Sequence, residues 1–106
     1  MYYKDLNEDF SNFSLEDLLD YMKIGHEIEF YFDGECFFLE TDFKYNREHS
    51  LTNDEERYLL YHCESFEVQS GKVIFSGTYD EILDYDLKDG QTLRNNFDKF
   101  SLHLIF

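Results

Sequence analysis

The chain has 106 residues, of which 24 are Asp or Glu and only 9 Lys or Arg, so its formal net charge is −15. Binding to nucleic acid by counterion release and adhesion to anionic membranes both need cations on the protein, and this balance excludes them. A hydrophobic fraction of 42% with 20% aromatics excludes an acidic disordered tail, and the length suits one core but not two.

The N-terminal run Met1-Tyr2-Tyr3-Lys4-Asp5-Leu6 has no basic stretch leading into an apolar one, and no apolar run approaches the roughly 18 residues of a membrane helix. The expectation is a cytoplasmic protein of one domain, 1–106, with residues 1–13 as a lead-in. Cys36 and Cys63 are too few for a disulfide framework and read as small buried or half-buried hydrophobes.

The first firm element starts at Ser14, which forms a capping box with Asp17. Leu15, Leu18, Leu19 and Met22 then recur on one helical stripe and Gly25 ends it, which predicts a helix over 15–24. A hairpin follows from His26 to Thr41 around Asp33-Gly34, a dipeptide suited to the positive φ angles of a type I′ turn. A two-residue turn pairs Phe32 with Glu35, Phe30 with Phe37 and Ile28 with Leu39. One face is then Ile28, Phe30, Phe32, Phe37 and Leu39, and the other Glu27, Glu29, Tyr31, Cys36, Phe38 and Glu40.

Residues 42–56 are polar and rich in turn formers and read as a long loop. Arg57 to Cys63 fits either a strand or the second half of a helix, and its aromatic spacing favours the strand. A second hairpin around Ser70-Gly71 is expected to pair Val68 with Val73 and Phe66 with Phe75. Thr78 and Glu81 make another capping box, opening a short helix that buries Ile82 and Leu83; a turn at Asp89-Gly90 and a helical turn through Leu93 and Phe97 follow. In the last stretch Phe100, Leu102, Leu104 and Phe106 alternate with Ser101, His103 and Ile105, the pattern of a terminal strand. The fold class is α+β: a small antiparallel sheet with an N-terminal helix and one or two short C-terminal helices packed on one face.

No pattern of catalytic or ligand residues emerges. His62 and Cys63 are adjacent, so in a strand or a helix they point apart and cannot form a nucleophile–base dyad. The four histidines and two cysteines are scattered singly, without metal-ligand spacing, and the five glycines form no phosphate-cradling loop. The acids of Tyr79-Asp80-Glu81-Ile82-Leu83-Asp84-Tyr85-Asp86 lack the glycine of a calcium loop and have an apolar pair at its centre. Neither enzymatic activity nor a cofactor nor a metal is expected.

The charge itself is the informative feature, since −15 far exceeds the roughly 2 to 8 that suits a small soluble domain. Glu27 is set opposite Glu40 in the hairpin, and Asp80 with Asp84, like Glu16 with Asp20, repeats like charge one helical turn apart. Repulsion of this kind costs the isolated chain and is relieved by a cationic partner. The candidate partner-binding residues are Glu27, Glu29, Tyr31, Phe38, Glu40, Tyr79, Asp80 and Asp84, with Tyr85 as a further aromatic anchor. The expected partner is a basic protein surface, such as that of a nucleic-acid-binding protein. The plainer alternative is an ordinary solvated sheet face.

The run Ser14-Leu15-Glu16-Asp17-Leu18-Leu19, then Glu27-Ile28-Glu29-Phe30, Asp33-Gly34, Tyr79-Asp80-Glu81-Ile82-Leu83 and Asp89-Gly90-Gln91-Thr92-Leu93 together resemble short uncharacterised acidic proteins of Gram-positive bacteria and their phages. The general type is similar to small acidic inhibitors, namely immunity proteins and phage anti-CRISPR proteins. The resemblance implies an inhibitor or nucleic-acid-mimicking decoy and supplies no functional residue. The competing readings are a housekeeping interaction module or homo-oligomer, and an enzyme whose site leaves no motif.

Overall fold

The computed structural model describes residues 13–51, 55–66 and 71–106. Helix α1 (Leu15–Lys23) begins at the Ser14–Asp17 capping box and ends where Gly25, at φ 90°, takes the left-handed conformation. The Gly25 amide donates to Met22 O and the His26 amide to Tyr21 O, which satisfies the last carbonyls of the helix in a Schellman arrangement. Strands β1 (Ile28–Phe32) and β2 (Glu35–Thr41) pair in the register that the Asp33-Gly34 turn dictates, with Phe30 opposite Phe37 and Ile28 opposite Leu39. Asp33 and Gly34 both have positive φ, 49° and 83°.

The segment read as a long loop contains helix α2 (Phe43–His49). No apolar stripe announces it, because its only buried residue is Asn46 and Phe43 is 55% exposed. The helix is held by polar contacts instead. Asp42 caps its N-terminus through the Tyr45 amide, while the Asn46 side chain donates to Arg57 O and accepts from Arg57 N at 2.7 Å, tying α2 to the start of β3 (Arg57–Cys63).

Strand β4 (Lys72–Thr78) pairs with β3, setting Phe75 opposite Leu60 rather than Phe66. Phe66 lies instead against Tyr31 and His103, and Val68 falls outside the described residues. The Thr78–Glu81 capping box opens α3 (Tyr79–Leu83), with Ile82 and Leu83 buried. The helical turn expected through Leu93 and Phe97 is a plain turn at Leu93 and a separate 3-10 helix, Phe97–Lys99. It leads into β5 (Phe100–Ile105), where a bulge opposite Glu29 and Phe30 breaks the simple alternation. Phe100 and Leu102 face the core, Leu104 sits across from Glu29, and it is Ile105 that returns to the core opposite Ile28.

The strands form one antiparallel sheet in the order β4-β3-β2-β1-β5. Its inner face, with Ile28, Phe30, Phe32, Phe37, Leu39, Tyr58 and Leu60, is buried against Leu18 and Met22 of α1, Ile82 and Leu83 of α3, and Leu93. Phe13, placed by the sequence in the lead-in, stacks on Phe100 and Tyr21 at the margin of this core. Among the described residues no helix is long and apolar enough to cross a membrane.

Candidate functional site

The period of two along β1 and β2 sends Glu29, Tyr31, Cys36, Phe38 and Glu40 to the face opposite the helices. Glu27, one residue before β1, belongs to the same face: its charge acts on both Glu29 and Tyr61. Continued by one residue, the hairpin register sets it across from Glu40. Strand β3 adds Leu59, opposite Glu40, and Tyr61, opposite Phe38. From β5 comes His103, edge-on to Tyr31 at 5.4 Å and stacked under Phe66 at 4.7 Å. Helices α1 and α3 pack on the opposite, inner face.

Its acids are half-buried, and their partners are not cations of fixed charge. Glu40 accepts a hydrogen bond from the Tyr61 hydroxyl at 2.5 Å. Glu29, whose side chain is only 18% exposed, has His103 Nε2 at 3.8 Å. Among the described residues no lysine or arginine pairs with Glu27, Glu29 or Glu40. Burial therefore raises the Glu29 carboxyl above its ordinary range, with Glu27 acting in the same direction and His103 against it. Tyr61 shows the same field: burial first, then its bond to Glu40 and the charges of Glu40, Asp42 and Glu27, push its hydroxyl up to about 12.

The other candidates, Tyr79, Asp80 and Asp84, are at α3, on the helix side of the sheet, and do not join this face. Tyr79 points inward, donating to Leu15 O at 2.6 Å and packing edge-on to the buried Tyr58. Asp80 and Asp84 do not stand as an unrelieved like-charge pair, because Arg94 reaches both, with Nη2 3.0 Å from Asp80 and Nε 2.7 Å from Asp84. The sequence hides this contact, since the arginine follows α3 and a turn and approaches only in the folded chain. Tyr85 stacks on Phe75 at 4.6 Å. Sequence reasoning missed Tyr61 and His103, which reach the outer face only through the pairing of β3 with β2 and β5 with β1. Their signal was present only as the alternation within each strand.

A cleft of about 410 Å³ opens between α1 and α3, with Leu15, Leu19 and Leu83 in its lining and the Arg94–Asp80 ion pair at its side. Among the described acids Glu29 has a raised titration range, and it lies across the sheet from this cleft. Among the described residues no three side chains of ligand type converge to hold a metal ion. Comparison with protein-family models, with curated proteins and with solved structures finds no match.

Proposed function

We propose that the chain is an acidic protein-binding domain, an inhibitor or nucleic-acid-mimicking decoy whose outer sheet face occupies a basic surface on another protein. The observation that carries this reading is the trio Glu27, Glu29 and Glu40, kept half-buried among Tyr31, Phe38 and Tyr61 without a lysine or arginine partner among the described residues. Carboxylates spaced along a sheet offer a cationic groove what a phosphate backbone would offer, and the rings between them supply the apolar anchor area that interfaces favour. The cationic partner would relieve repulsion that the free chain endures.

Affinity capture from the native host or its phage-infected lysate tests this, with the wild type beside a Glu27→Gln/Glu29→Gln/Phe38→Ala variant at low and high salt. The expected result is a basic protein that the wild type retains at low salt, that high salt releases, and that the variant fails to hold. Equal retention by both chains would remove the outer face from the proposal.

A second reading, a homo-oligomer, draws on β4, an edge strand whose Val73 is 50% and Ile74 36% exposed. Light scattering separates the two: a homo-oligomer gives twice the monomer mass or more without any added partner.

A further inference from the structure

The register of β2 and β3 sets Cys36 directly opposite Cys63. Directly opposed residues in an antiparallel pair share a face, and here it is the outer one, since Cys36 alternates with Phe37 of the core. Their Cα atoms are about 4.5 or about 5.5 Å apart according to the type of pair, and both separations fall within the roughly 4.4–6.8 Å that a disulfide spans. Both thiols are free and half-buried. Gly71, the residue before β4, lies over Cys63: a Cβ there would stand 3.2 Å from its sulfur, so the bare glycine backbone leaves the sulfur its room.

We infer that Cys36 and Cys63 form a reversible cross-strand dithiol–disulfide pair, a modification site set into the outer face and oxidised by a small-molecule disulfide of the glutathione type. In the first step one thiolate attacks a sulfur of glutathione disulfide, forming a mixed disulfide and expelling glutathione thiolate, which takes up the proton released by the attacking cysteine. The opposed cysteine then loses its proton and attacks the protein sulfur of that mixed disulfide. The Cys36–Cys63 bond forms, the mixed disulfide breaks, and a second glutathione leaves as thiol. Two electrons and two protons pass from the cysteines to the oxidant.

Cys63 suits the second step. Burial foremost, then Cys36 and Glu29, hold its thiol above the ordinary range, so it is a poor first nucleophile in solution but stands next to the sulfur it has to attack. The bridge would tie together the two strands that carry Phe38, Glu40 and Tyr61, flanked by Tyr31 on β1. Redox state then sets the stiffness and the sulfur chemistry of the same surface that the docking proposal uses, although the pairing of the cysteines does not depend on docking.

The test is to incubate the folded full-length chain with glutathione disulfide and to follow intact mass, non-reducing peptide mapping and free-thiol alkylation. The expected product is a monomer lighter by about 2 Da, with a Cys36–Cys63 linked peptide and no alkylatable thiol, restored by dithiothreitol. A Cys63→Ser chain should instead stop as a glutathione adduct at Cys36, and a Cys36→Ser chain, left with the buried Cys63, should react more slowly and form no internal bridge. A wild type that stays unreacted, accumulates glutathione adducts, or links only between chains would overturn the inference. Melting curves give a second reading: the oxidised monomer should melt at or above the reduced one, and a marked fall would mean that the strand pair does not accommodate the bond.

Discussion

Phe37 and Phe38 are neighbours on β2 with the same side chain and different duties. Phe37 is 1% exposed and stacks on Phe30 at 5.5 Å beneath the helices, while Phe38 is half-buried on the other face, edge-on to Tyr61 among acids. The inner face is apolar throughout its centre and closed by α1 and α3. The outer face mixes rings with carboxylates that have only hydroxyl and imidazole partners among the described residues. One side of the sheet therefore carries the closed core of the chain, and the other is the face on which the docking proposal rests.

Truncating the two phenylalanines sharpens that contrast most. Phe37→Ala should cost about 3–5 kcal/mol, measured by urea unfolding, because it opens a cavity in a closed core. Phe38→Ala should cost about 1 kcal/mol, the scale of a lost aromatic pair at a partly wet site, while abolishing partner capture. Equal losses of stability would erase the distinction between the faces.

Glu29→Gln probes the outer face through pH. The folded chain holds the Glu29 proton to a higher pH than the unfolded chain, whose carboxyl titrates near the ordinary value of 4.5. This residue therefore supports folding in acid and becomes a cost as pH rises through its raised folded value. Glu29→Gln should be more stable than wild type at neutral pH, by up to about 1 kcal/mol in urea unfolding, and the advantage should vanish as pH falls below the unfolded value. A variant that is less stable at neutral pH would show that the His103 contact outweighs burial. The smallest effect belongs to the helix side: Arg94→Ala leaves Asp80 and Asp84 facing each other on the solvated surface, so the melting point should drop slightly at low salt and recover with added salt.

What the sequence made legible was local. The Ser14–Asp17 and Thr78–Glu81 boxes and the Asp33-Gly34 turn each act within a few residues, and each appears in the structure with its expected partner, down to the pairing of Ile28 with Leu39. The outer face could be written down from that register, as far as Glu27, Glu29, Tyr31, Phe38 and Glu40. Everything brought in from a distance was hidden. Helix α2 depends on Asn46 meeting Arg57, the partner of Phe75 is Leu60 on β3, and Arg94 arrives beside α3 after an intervening turn. The bulge that carries Ile105 into the core interrupts an alternation that reads as unbroken in the chain. Cys36 and Cys63, unremarkable in sequence, become neighbours for the same reason, because strand pairing beyond a hairpin is set by packing rather than by turn chemistry.

If the outer face awaits a cationic partner, its carboxylates burden the isolated chain. Thermal unfolding of the wild type and of a Glu27→Gln/Glu29→Gln double variant, at neutral pH across a range of sodium chloride concentration, tests it with Glu40 and its tyrosine bond left intact. The expected result is a double variant that melts higher at low salt, with the gap closing as salt raises the wild-type curve. A wild type that melts as high as the variant at low salt, and does not respond to salt, would contradict it.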